Sequence, residues 1–212
     1  MVSRRQRFRT PLAVAILTCF GIYSQPNAQT EAPDDVVRGA AESVLESMDG
    51  RRDYLEEHQA ELRQLVNTVF SPRFDQNYAA YLVLGRHGRD ASSEQRLRFT
   101  EALYAYILSR YAHGLLSFTS DRLQILPYAG SAGEERATVR TFVILDDGRR
   151  IPVNYDLRLG TAGWRVYDIA IDGISYVRNL RSQLGAEIEQ NGLESVIARL
   201  ETQGGEHQDD SD

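Results

Sequence analysis

The spacing of apolar residues changes twice along the chain. From Pro33 to about Gly114 they recur every three or four residues, the period of a helix with one buried face. Beyond residue 120 they alternate with polar residues, the period of a half-buried strand, and from Ile174 the helical spacing returns. The first helix is expected over Pro33–Met48, with Val36, Val37, Ala40, Ala41, Val44 and Leu45 inward, Pro33 in its first turn and Gly50 as its stop. A second spans residues 54–70, carries Leu62, Leu65, Val66 and Val69 on one face, and is interrupted by Pro72. A shorter one covers 74–84 and ends at Gly85. The fourth opens on a capping box, Ser92-x-x-Gln95, and carries Phe99, Leu103, Tyr106, Ile107 and Tyr111.

Four strands are expected, over residues 123–128, 137–145, 150–159 and 164–171. The third is clearest: Ile151, Val153, Tyr155, Leu157 and Leu159 alternate with Arg150, Pro152, Asn154, Asp156 and Arg158. Asp147-Gly148 is a tight hairpin turn, and residues 160–163 (Gly-Thr-Ala-Gly) make another. Pro152 cannot donate to a ladder and belongs at an edge or a bulge. Helices follow over 174–190 and 193–203, separated by Asn191-Gly192. The fold class is α+β: an antiparallel four-stranded twisted sheet, as a meander, packed against several helices.

The N-terminus does not belong to this pattern. Arg4, Arg5, Arg7 and Arg9 precede a short apolar run from Pro11 to Tyr23, and Ala28 follows as a cleavage position. Residues 1–28 thus read as a secretory signal peptide, with residues 29–203 as one domain and 204–212 as an acidic disordered tail. The leader alters the charge. The whole chain carries 24 basic residues, all arginine, against 30 acidic ones, for a net −6. Removing four arginines and no acids takes it to −10, a poor partner for duplex nucleic acid. The only cysteine, Cys19, leaves as well, which excludes disulfides, thiol nucleophiles and cysteine metal sites in the exported protein.

Catalytic signatures are scarce. His58, His87, His113 and His207 have no ligand spacing among themselves, so no metal is expected, and no nucleophile elbow or phosphate loop is present. One carboxylate invites a test. Asp168 lies in the strand Trp164-Arg165-Val166-Tyr167-Asp168-Ile169, on the same side as Trp164 and Val166. Helices followed by a curved antiparallel sheet resemble cone-shaped α+β enzymes that use such a group as a base in an apolar pocket. The alternative is structural: an ion pair, with Arg181 as a candidate partner, or a helix cap. Tyr78, Tyr81, Tyr104, Tyr106, Tyr111, Tyr155 and Tyr167 are open to two readings, as cavity lining or as core.

Two stretches resemble a known family. One is Tyr78-Ala79-Ala80-Tyr81-Leu82-Val83-Leu84-Gly85 with Ser92-Ser93-Glu94-Gln95-Arg96 and Phe99. The other runs from Gly148-Arg149-Arg150-Ile151-Pro152-Val153-Asn154-Tyr155 through Gly163-Trp164-Arg165-Val166-Tyr167-Asp168-Ile169 to Asp172-Gly173-Ile174-Ser175, continued by Arg181-Ser182-Gln183 and Asn191-Gly192-Leu193. Together these resemble the MlaC family of periplasmic phospholipid-binding proteins, also called toluene-tolerance proteins, over roughly residues 33–200. His87-Gly88 departs from the pattern, standing where the family often has an aromatic.

The resemblance implies a periplasmic, non-enzymatic carrier that shuttles glycerophospholipids between inner and outer membranes and maintains outer-membrane lipid asymmetry. It implies an apolar lipid cavity between sheet and helices, no cofactor, and a monomer. The implied partners are the MCE-domain protein of an inner-membrane ABC transporter and an outer-membrane lipoprotein–porin complex. The residues expected to line the cavity are Val143, Val153, Tyr155, Val166 and Ile169 from the sheet, with Val69, Phe74, Tyr81, Leu84, Phe99, Leu103, Tyr106 and Val177 from the helices. Val166 and Ile169 have opposite parity, so a regular strand cannot point both inward; a bulge, or a cavity reaching past the sheet edge, is required.

Overall fold

A computed structural model describes residues 31–131 and 133–205; the expected signal peptide and most of the expected tail lie outside this range. The helices are α1 (Pro33–Met48), α2 (Arg52–Glu57), α3 (Gln59–Phe70), α4 (Gln76–Leu84), α5 (Ser93–Tyr111), α6 (Tyr176–Asn191) and α7 (Leu193–Gly205). The strands are β1 (Leu123–Ile125), β2 (Arg136–Ile144), β3 (Arg150–Gly160), β4 (Gly163–Ile171) and β5 (Ile174–Ser175). They form one antiparallel sheet in the order β1-β2-β3-β4-β5, so the α+β meander expected from the sequence is present with a fifth, two-residue strand.

Local chemistry accounts for the boundaries. Ser92 and Gln95 close the capping box of α5 in both directions. The helix expected over 54–70 is two helices, because His58 has a non-helical backbone (φ −114°, ψ 69°). Periodicity runs through this break since Leu55, Leu62 and Val66 all join one cluster. The α7 helix continues to Gly205, so the expected tail begins in helix. Ile174 and Ser175 are strand rather than helix: Asp172 (φ 50°) and Gly173 (φ 80°) make a two-residue turn that brings them back against β4.

Pro152 stands in the middle strand, not on an edge or in a bulge. Its place is tolerated because the ladder to β4 ends there: the last paired residues are Val153 and Ile171, and beyond them only the Asp172 N–H donates to the Pro152 carbonyl. The bulge lies elsewhere. Asp156 pairs with Asp168 and Leu157 with Val166, leaving Tyr167 as the extra residue of β4. This resets the parity, and Val166 and Ile169 both pack with the inner cluster. It also moves Asp168 to the opposite face from Val166.

Buried apolar residues form three clusters. Residues of α4, α5, α6 and α7 build a closed helical layer around Phe99, Val196, Ile197 and Leu200, each 0% exposed. A second joins α1, α2 and α3 around Met48, Leu55 and Leu62. The third places Val36 and Val37 of α1 against Ala137, Val139, Leu157 and Val166 on the inner face of the sheet. The chain crosses the free edge of β4 between Phe74 and Asp75. Phe74 bridges to Val166 and the Asp75 N–H donates to the Val166 carbonyl at 2.7 Å. Phe74 consequently joins the inner cluster, while Asp75 reaches Arg158 on the outer face.

Candidate functional site

The inner face of the sheet is only partly covered. The α1 helix, the turn at residues 71–73 and the residues before β1 pack on it, whereas α5 barely touches any strand. Long side chains reach across instead. Phe74 stacks on Tyr104 of α5, ring centroids 6.2 Å apart, and Tyr111 meets Tyr176 edge-on at 5.6 Å. Phe74, Ile125, Tyr155 and Ile169 are half-buried here, although they belong to the apolar interior.

Two tyrosines define the character of this space. Burial raises the Tyr155 phenol pKa, partly offset by the Thr141 hydroxyl, and yet the residue is not closed to solvent. Thr141 itself is fully buried and donates to the Val153 carbonyl at 2.8 Å, so the polar atom of that face is satisfied. Burial pushes Tyr104 up to about 12. Its hydroxyl is buried with no hydrogen-bond partner; the Gln76 side chain pulls the pKa the other way without closing a bond. The space is therefore aromatic and aliphatic, with very few groups able to hold a polar substrate.

The expected lining residues divide among these regions. Phe74, Tyr155, Val166 and Ile169 come together in the sheet cluster, and Val153 is buried beside them on β3. Val143 is half-buried further along, between Leu123 and Ile151. Val69 lies in the α1–α3 cluster. Leu84, Phe99 and Leu103 are inside the closed helical layer, with Tyr106 and Val177 packed against it. Tyr81 is 63% exposed and points out of the protein. Tyr104, which stacks on Phe74, belongs to an apolar helical stretch that periodicity cannot distinguish from core.

Asp168 has a structural task. One carboxylate oxygen accepts the Val177 N–H at 3.0 Å and the other accepts the Ser175 hydroxyl, while Ser175 caps α6 through the Arg178 N–H. Its partner is not Arg181. That guanidinium lies flat on Gly85, so close that a Cβ there would sit 2.7 Å from Nε. The guanidinium could shift to admit a Cβ, but the φ of +52° favours glycine at this turn.

Among the described residues no helix is long and apolar enough to cross a membrane. The MlaC family model, described as "MlaC protein", matches residues 38–202. This chain belongs to the MlaC family. Among its MlaC relatives, the toluene tolerance protein ttg2D of Pseudomonas putida is 23% identical over 163 residues, 76% of this chain and 75% of that one. The intermembrane phospholipid transport system binding protein MlaC of Haemophilus influenzae is 22% identical over 189 residues, 88% of each chain. A solved structure of similar fold is the phospholipid-binding protein of Ralstonia solanacearum in complex with a phospholipid. It superposes with a TM-score of 0.73 at 22% identity, covering 82% of this chain and 97% of that one.

Proposed function

We propose that this protein is a phospholipid carrier whose acyl chains lie in the recess between the inner sheet face and α5. The observation that carries the reading is the half-buried apolar lining around Phe74, Tyr155 and Ile169, in a chain matched over 88% of its length by a binding protein of an intermembrane phospholipid transport system. The carrier works in the periplasm. It exchanges lipid with the MCE-domain protein of an inner-membrane transporter and with an outer-membrane lipoprotein–porin complex, and so maintains outer-membrane lipid asymmetry. It acts by binding, not by catalysis.

The physics suits a carrier. A diacyl lipid has about 30 methylenes, and at about 0.8 kcal/mol each, hiding them from water is worth about 24 kcal/mol. That exceeds the ceiling on non-covalent affinity, about 18–21 kcal/mol. The competitor, however, is a bilayer that hides the same chains. A carrier has only to match the bilayer, so an apolar recess with little headgroup recognition suffices. Mass spectrometry of a solvent extract of the protein purified from a bacterial host tests this. Stoichiometric glycerophospholipid is expected, and protein repeatedly free of lipid would overturn the reading.

A further inference from the structure

The outer face of the sheet carries an arrangement that lipid-tail binding does not use. Arg136, Arg158 and Arg165 occupy one rung across β2, β3 and β4: Arg136 pairs with Arg158, and Arg158 with Arg165. Directly paired residues of antiparallel strands point to the same side, and like charges so placed repel. This rung lies past the bulge and opposite the inner cluster.

The neighbouring carboxylates compensate only in part. Asp75 pairs with Arg158 at 2.5 Å, but its other oxygen holds the Tyr78 N–H at the start of α4. Asp156, one rung on, accepts the Thr138 hydroxyl at 2.7 Å. Arg136 donates to the Tyr78 hydroxyl at 2.7 Å, and its guanidinium lies 5.7 and 5.9 Å from the ring centroids of Tyr78 and Tyr167. Arg158 lies over the Tyr78 ring at 4.4 Å. The Nε of Arg165 is buried and has no acceptor. A buried cationic donor left unpaired is costly, and such exceptions call for a ligand or another compensating role.

Beside the rung, between the start of α4 and the β3–β4 turn, is a cleft of about 440 Å³. Arg158, Arg165, Asn77, Thr161, Tyr78 and Tyr81 line it. Donors predominate, the single lining carboxylate is already engaged, and the aromatic faces leave room for a substituent. An oxyanion would relieve the repulsion along the rung; the planar fork of arginine matches phosphate oxygens in particular.

We propose that this cleft binds a phosphate group, carried either by a phospholipid headgroup at a bilayer surface or by a soluble phosphate compound. The site is on the opposite face of the sheet from the acyl-chain recess and does not depend on that recess being a lipid pocket.

The test uses the full protein and its R165Q, R165K and R136Q variants, with folding checked by circular dichroism. The Arg165 Nε–H resonance is followed by NMR during titration with inorganic phosphate and with glycerol 3-phosphate, and co-sedimentation is measured with phosphatidylglycerol and with phosphatidylcholine vesicles. A saturable shift is expected, with affinity weakened about tenfold or more in R165Q. R165K should be intermediate, since it keeps the charge and loses the fork. Because Arg136 is solvent-facing, R136Q folds normally and should weaken binding less. Vesicle binding that phosphate competes away identifies the headgroup as the source; saturation by phosphate without vesicle binding identifies a soluble compound. The proposal is overturned if no phosphate titration saturates, or if R165Q and R136Q both bind as the wild type does.

Discussion

The helical layer and the sheet layer bury similar residue types to different ends. Between α4, α5, α6 and α7 the side chains are mostly small or aliphatic around one aromatic, Phe99, and Phe99, Val196, Ile197 and Leu200 are closed to solvent. The helices approach so nearly that a Cβ on Gly204 would come within 2.9 Å of the Ala105 Cβ. Between α5 and the sheet, aromatic residues with polar ends span a wider gap and stay half-buried. One layer is held by close packing. The other is held by α1, which buries Val139, Leu157 and Val166, and by the chain crossing at Phe74–Asp75, while Phe74, Tyr155 and Ile169 beside them stay half-buried.

The contrast breaks most visibly by truncation. Leu200→Ala removes a fully buried side chain and is expected to cost about 2–5 kcal/mol in denaturant unfolding, with lipid per folded molecule unchanged. Tyr155→Ala should cost clearly less in lipid-free protein, because Tyr155 is half-buried rather than closed to solvent, and should change lipid loading. Equal costs would mean that the sheet layer is as solid as the helical one.

Next in size is the junction of the two layers. Asp168→Asn keeps the shape but weakens the cap on α6, with an expected loss of about 1 kcal/mol and unchanged lipid content. Loss of lipid at full stability would give Asp168 a role in the site.

The smallest effect is a pH dependence. Tyr104, Tyr155, Tyr167 and Tyr176 all have phenols raised by burial, Tyr104 to about 12. Above the ordinary tyrosine value near 10 the unfolded chain loses protons that the folded chain retains, so unfolding is favoured as pH rises. Stability should be flat in this respect below about pH 9.5 and fall between about pH 10 and 12. Tyr104→Phe should make the fall shallower in pH-dependent unfolding curves; an unchanged slope would mean that Tyr104 is not desolvated.

Much of this fold was legible in the pattern of residues. Pro33, Gly50 and six apolar positions define α1 to its observed ends. The opposite parity of Val166 and Ile169 left either a bulge or a cavity reaching past the sheet edge, and the bulge is present at Tyr167. Asp172-Gly173 is as strong a hairpin signal as Asp147-Gly148, but a two-residue strand after it offers no alternation to recognise. His58 escapes notice because its break leaves the apolar stripe in phase. The site was less legible. Phe99 and Tyr155 both lie on apolar faces, and periodicity marks a side chain as inward without saying whether the space beyond is filled. That depends on the distance between α5 and the sheet, which the α1 packing and the edge crossing determine through contacts remote in sequence.

The central claim is most directly tested by photocrosslinking. A benzoylphenylalanine replaces Tyr155, in the proposed recess, or Leu97, 57% exposed on the outside of α5, in cells with radiolabelled phospholipid. Label attached at Tyr155 and not at Leu97 is the expected result. Label at Leu97 alone, or at neither position in folded protein, would contradict the account.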